Sequence, residues 1–184
     1  MYGLVNQAVK SLLVEAGGDA LWQQVRAHAG APEDYSPLVP YDDAITYNLV
    51  GAASHVLQEP AEKLLHQFGV YWVERIATVH YPDMMNASGT TFALFLRNLD
   101  HMHERMRVSF PDYRPPSFRV VDLDESTMQV DYYSSRAGLI PFVEGLFQGV
   151  AGHFGRSLTI THVADDAHGL PCRRMKLQHG PLTP

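Results

Sequence analysis

Cysteine is all but missing from this sequence. Cys172 stands alone, so no internal disulfide can form and nothing in the chain asks for an oxidising compartment. A cytoplasmic setting is the expectation. Long apolar runs are missing as well: none approaches the ~20 residues that span a bilayer as a helix. The stretch from Met1 to Val14 carries polar side chains every few positions, unlike the cationic start and unbroken apolar run of a signal peptide. Neither a leader nor direct membrane insertion is expected. Positive charge is short, with 14 Lys and Arg against 20 Asp and Glu and a formal net charge of −6. Nucleic acid is therefore a poor target, because binding its backbone relies on clustered cations. The marks of familiar enzyme classes are also absent. There is no His-Glu-x-x-His run, no Gly-rich phosphate loop and no nucleophile beside a base, which argues against a catalyst.

What is present fits a self-folding globular chain, since 46% of the residues are hydrophobic and only 18% charged. One domain over residues 1–184 is expected. Up to Phe110 the apolar spacing is helical. It begins with Leu4, Val5, Ala8, Leu12 and Leu13, and continues over Asp42 to Leu57, Pro60 to Val79 and Thr91 to Val108. Gly17-Gly18 and Gly89 suit breaks between helices, and Pro60 suits a first helical turn. Pro111, Pro115 and Pro116 then stop the helix, and the period changes to two over Phe118–Leu123 and Thr127–Ser134, with Asp124-Glu125-Ser126 as a hairpin turn. Gly138 to Phe154 returns to helical spacing, and Ser157–Val163 and Cys172–Gln178 have the pattern of two more strands. The fold class read from this order is α+β: an N-terminal helical bundle, then a small antiparallel sheet crossed by one helix.

Two local patterns carry chemistry. On a 100° wheel drawn from Thr91 to Val108, Phe92, Phe95, Leu96, Leu99, Met102 and Met106 form one stripe, and His103 falls inside it. His101 points away, beside Arg97 and Glu104. Their i, i+2 spacing turns the rings about 200° apart, so the pair cannot clamp one ion from a regular helix. A lone imidazole on an apolar face is either a core histidine bonded to a backbone carbonyl or an axial ligand for haem iron in a dry pocket. In the second pattern, a strand continuing to Arg136 would put Tyr132, Ser134 and Arg136 on one face at i, i+2 and i+4. One guanidinium and two hydroxyls either meet water or bind carboxylates such as the two propionates of haem.

Met1-Tyr2-Gly3-Leu4-Val5-Asn6, Leu49-Val50-Gly51-Ala52-Ala53, Phe68-Gly69-Val70-Tyr71-Trp72-Val73, Asn98-Leu99-Asp100-His101-Met102-His103 and Tyr132-Tyr133-Ser134-Ser135-Arg136 together resemble the haem-nitric oxide/oxygen binding (H-NOX) domains. These are bacterial relatives of the haem domain of soluble guanylate cyclase. The likeness covers nearly the whole chain and implies haem b buried between a distal helical part, residues 1–60, and a proximal part with the sheet, residues 61–184. It implies His103 as the iron ligand, and Tyr132, Ser134 and Arg136 as the propionate-binding Tyr-x-Ser-x-Arg motif. Pro116 is similar to the proline that family members press against the haem face. The distal tyrosine that holds oxygen in some members is matched by Phe142, three residues before Gly145, and a phenyl ring donates nothing. Nitric oxide and CO are therefore the expected ligands. Trp72 is the one nearby donor that would favour oxygen, and Val5 and Leu146 complete the implied cofactor-contacting set. The cysteine-rich zinc site of some members has only Cys172, His162 and His168 to draw on, so no structural zinc is expected. With no room expected for an attached kinase or cyclase, the resemblance implies a histidine kinase or cyclic-dinucleotide enzyme acting in trans. An oxygen sensor and a cofactor-free interaction domain are the rival readings.

Overall fold

The structure is a computed structural model that describes residues 1–163 and 172–182. Helix α1, Gly3–Ala29, bends where the sequence places its glycine pair: Gly17 leaves helical geometry and Gly18 takes φ 72°, a left-handed conformation that glycine adopts without strain. Helix α2, Asp43–Leu57, is capped by the Asp42 carboxylate, which accepts from the Ala44 amide. Thr46 and Asn6 tie the first two helices together through a buried bond of 2.6 Å.

The predicted helix over Pro60–Val79 is less regular than its apolar period. It consists of α3, Ala61–Tyr71, with Pro60 as its cap, then a π-helical segment, Trp72–Ala77, and a last turn α4, Thr78–His80. After α5, Pro82–Ser88, the chain turns at Gly89, whose φ is 159°. The expected Thr91–Val108 helix is two helices, α6, Phe92–Arg97, and α7, Leu99–Ser109, separated at Asn98, which has φ −95° and ψ 6°. Thr91 is the cap of α6, accepting from Leu94.

Strands β1, Ser117–Asp122, and β2, Thr127–Tyr133, form the expected hairpin, with the Asp124 carboxylate accepting from the Ser126 amide in the turn. Helix α8, Ile140–His153, follows, and β3, Arg156–Val163, pairs with β4, Cys172–Pro181. The sheet order is β1-β2-β4-β3, antiparallel throughout. Its inner face, including Phe118, Met128, Val130, Met175 and Leu177, packs with Val143, Phe147 and Val150 of α8 in one hydrophobic cluster. A second cluster joins α1 and α2 to Phe68 and Ile76. Trp72 touches both. Among the described residues no helix is long and apolar enough to cross a membrane.

Helices α3 and α8 approach so closely that glycine is required on both. A Cβ on Gly69 would lie 2.2 Å from the Phe142 carbonyl oxygen, and one on Gly145 would lie 2.0 Å from that of His66. The obstacle is backbone, which cannot rotate aside. Gly145→Ala is expected to lower the thermal midpoint by roughly 2 to 12 °C, taking overpacking at about 1–3 kcal/mol and ~2–4 °C per kcal/mol for a chain of this size. Gly152→Ala, which meets open space on the same helix, should leave the midpoint unchanged or raise it. A differential scanning calorimetry trace of each variant checks the pair.

Candidate functional site

The side chains singled out from the sequence meet at one cavity of about 280 Å³ between the two clusters, lined by His103, Pro116, Tyr132, Ser134, Arg136, Val5, Trp72, Phe142 and Leu146. Helix α7 presents Leu99, Met102, His103 and Met106 to it, an i, i+3, i+4, i+7 stripe that survives the break at Asn98 because it lies within one helix. His101 faces outward, with a side chain 78% exposed, and pairs with Glu104 at 3.8 Å. The two histidines thus lie on opposite sides of the helix, as on the wheel.

His103 sits in aromatic surroundings, its ring centroid 5.9 Å from Tyr113 and 6.0 Å from Phe118. Its Nδ1 is buried and has no hydrogen-bond partner among the described residues, so one ring nitrogen is left unsatisfied. Burial pushes the imidazole below its ordinary pKa, and the Asp100 carboxylate and the Pro116 backbone, which pull the other way, do not overcome it. A neutral imidazole with an unpaired nitrogen in an apolar cavity is a metal ligand in waiting. Asp100 fastens this helix to the sheet: its carboxylate accepts from the Ser117 hydroxyl at 2.6 Å and the Phe118 amide at 2.8 Å.

The polar end of the cavity differs from the sequence expectation in one respect. Strand β2 ends at Tyr133, so Ser134 and Arg136 do not continue its alternation. The cause is local: the Ser134 hydroxyl accepts from the Arg136 amide at 3.0 Å, giving the backbone a turn in place of the ladder. The turn still brings Tyr132, Ser134 and Arg136 to the same cavity. Arg136 donates through Nε to Asp43 at 2.6 Å, through Nη2 to Asp43 at 3.4 Å and through Nη1 to the Arg114 carbonyl at 2.8 Å. A guanidinium has five N–H donors and these bonds use three, leaving two for a ligand. Burial alone would raise the Asp43 pKa, but hydrogen bonds from Arg136 and the Met1 ammonium hold it below its ordinary value. Tyr132 stays a neutral phenol, its pKa raised by burial against the opposing effects of Ser134 and Arg136.

The opposite wall is apolar. Phe142 stacks on Phe68 with centroids 5.2 Å apart, and Trp72 meets the edge of Phe68 at 6.1 Å. Such a lining suits an apolar ligand that carries carboxylates and a metal that takes an imidazole. Sequence reasoning missed Asp43 and Tyr113. Asp43 reads only as a residue at the start of α2, and 93 residues separate it from Arg136. Tyr113 lies in a proline-rich run that signals a helix stop. Of the residues weighed for zinc, His162 pairs with Glu144 at 2.7 Å, Cys172 is a free thiol, and His168 lies outside the described residues.

Comparison with known proteins agrees with this geometry. A family model described as haem-NO-binding matches residues 2–162. Soluble guanylate cyclase gcy-31 of Caenorhabditis elegans is 24% identical over 171 residues, 92% of this chain and 24% of that protein. Soluble guanylate cyclase gcy-33 of the same organism is 30% identical over 146 residues, 79% of this chain and 15% of that protein. The chain spans about a quarter or less of the length of these two relatives. Among solved structures, an H-NOX protein from S. oneidensis in the Fe(II)NO ligation state superposes with a TM-score of 0.84 at 20% identity, covering 98% of this chain and 99% of that one. A single-substitution mutant of T. Tengcongensis H-NOX gives 0.83 at 17% identity, covering all of both chains.

Proposed function

The chain belongs to the haem-NO-binding family, and on that premise we propose that it holds haem b through His103, binds nitric oxide and CO at the ferrous iron, and reports nitric oxide to a separate signalling protein. Domains of this family bind haem and sense gases; they are sensors and not catalysts. The observation that carries the assignment to these residues is the buried, unpartnered ring nitrogen of His103, on a side chain lining the cavity that Arg136 and the hydroxyls of Tyr132 and Ser134 also line. When bound, haem would supply an iron that takes a diatomic gas. His103 would hold that iron, Tyr132, Ser134 and Arg136 the propionates, and Pro116 one face. Val5, Trp72, Phe142 and Leu146 would line the gas side and keep it dry.

Nitric oxide is the better fit than oxygen because bound oxygen gathers negative charge and depends on a hydrogen-bond donor, and Phe142 offers none. Trp72 is the exception, its indole N–H being the reason an oxygen complex has to be looked for. The partner in this reading is a histidine kinase or cyclic-dinucleotide enzyme in the cytoplasm.

The test is spectroscopic. The purified protein is expected to show a Soret band, and the ferrous form to bind nitric oxide and CO in solution without a stable oxygen complex in air. A protein that takes up no haem when supplied with it would be an interaction domain instead. Arg136→Ala should speed haem loss to apomyoglobin by about 10-fold or more and Ser134→Ala by about 3- to 5-fold, since a charged hydrogen bond contributes roughly twice a neutral one. Unchanged haem retention in Arg136→Ala would remove it from the propionate site.

A further inference from the structure

We propose that Tyr113 is a further cofactor-positioning residue, its phenol donating to the haem carboxylate that Arg136 neutralises while its ring braces the His103 imidazole. The inference rests on the haem reading above and adds a residue outside the Tyr-x-Ser-x-Arg pattern. Tyr113 lines the same cavity. Its ring stands edge-on to His103, with centroids 5.9 Å apart and planes at 78°. Its position beside Arg136 is set by the chain itself, because the carbonyl of the next residue, Arg114, accepts from Arg136 Nη1 at 2.8 Å. The loop is held on both flanks. The Tyr113 amide donates to the Phe110 carbonyl at 2.9 Å, and the Asp112 amide donates to the Tyr2 hydroxyl at 3.1 Å. Phe110 is buried and meets the Tyr2 ring at 4.9 Å.

A phenol that faces a cavity is placed to hydrogen-bond a polar group entering it. Among the described residues the Tyr113 hydroxyl makes no hydrogen bond, and its side chain lines the cavity. A phenol is a neutral donor at physiological pH. A carboxylate held by the two free N–H groups of Arg136 is the acceptor this corner is built to receive. Tyr113 then joins the helix that carries the iron ligand to the polar end of the cavity.

The experiment compares Tyr113→Phe and Tyr113→Leu with the parent and with Arg136→Ala, all loaded with haem. Removing the hydroxyl alone should speed haem transfer to apomyoglobin by about 3- to 10-fold, the range for one hydrogen bond. It should also shift the propionate bending bands in the resonance Raman spectrum and leave the iron–histidine stretch and the melting of the haem-free protein unchanged. Removing the ring as well should additionally shift or broaden the iron–histidine stretch. If Tyr113→Phe retains haem like the parent with unshifted propionate bands while Arg136→Ala loses it, the proposal for Tyr113 falls and the haem site stands. If neither variant loses haem faster, the carboxylate assignment falls too. An equal loss of stability in the haem-free Tyr113→Phe protein would assign the residue to folding and overturn the proposal.

Discussion

His103→Gly is expected to abolish the native iron ligation, with loss of the five-coordinate ferrous spectrum, whereas His101→Gly should leave that spectrum intact. The two histidines are two residues apart on α7, yet one borders the cavity and the other is 78% exposed. Glycine at 103 removes the only imidazole that lines the cavity among the described residues, and the void it leaves is bordered by Phe118 and Tyr113. Added imidazole should therefore bind in that space and restore the spectrum without a covalent tether. Glycine in a helix interior costs roughly 1 kcal/mol relative to alanine wherever it is placed, so His101→Gly also controls for the backbone. Equal spectral damage from the two substitutions would separate His103 from the iron.

Much of this site is legible in the sequence because it depends on local periodicity. Leu99, Met102, His103 and Met106 repeat at helical spacing within α7, so the face they share can be worked out from the sequence. The break at Asn98 cannot. It depends on a tertiary bond, from the Asn98 side chain to the Ser88 carbonyl at 2.9 Å, which no window of neighbouring residues reveals. Ser134 shows the opposite case. Its residue type favours turns as readily as strand ends, and alternation carried past Tyr133 goes one step too far, although the turn delivers Arg136 to the place the strand would have. The least legible contact is Asp43 with Arg136. A carboxylate at the start of a helix has a sufficient local explanation in the helix dipole, and only the folded chain shows that the same carboxylate holds the guanidinium. The π-helical turn at Trp72–Ala77 is equally hidden, since its apolar spacing differs little from that of the α-helix around it.

Nitric oxide and CO are expected to give opposite signalling results on this fold, and the difference traces to how α7 is held. Haem, when bound, would supply an iron that takes either gas, and in the proposed reading nitric oxide competes with His103 for that iron more strongly than CO does. On that reading His103 would be freed under nitric oxide and retained under CO. Apart from the Met102 packing and the Phe110 and Asp112 contacts just beyond its end, helix α7 has few bonds to keep its later turns in place. Leu99 is its one buried residue, while His101, Glu104, Arg105, Arg107 and Val108 are exposed. The Asp100 tether to Ser117 and Phe118 lies in the first turn, and the Arg105 bond to the buried Ser88, at 3.2 Å, is part-buried. Loss of the His103 bond should therefore loosen the segment from His103 to Ser109 between a pivot at Asp100 and the anchor at Phe110. It should relax the contact at Pro116 and alter the outward face of α7. A partner sensitive to that face distinguishes two populations of one element, biased by whether His103 is held. Hydrogen exchange over residues 103–109 should rise under nitric oxide and stay at the unliganded level under CO. The activity of a kinase or cyclic-dinucleotide enzyme partner should change only under nitric oxide. Equal exchange and equal partner activity with the two gases, or a nitric oxide complex that keeps six ligands under all conditions, would show that release of His103 is not the switch.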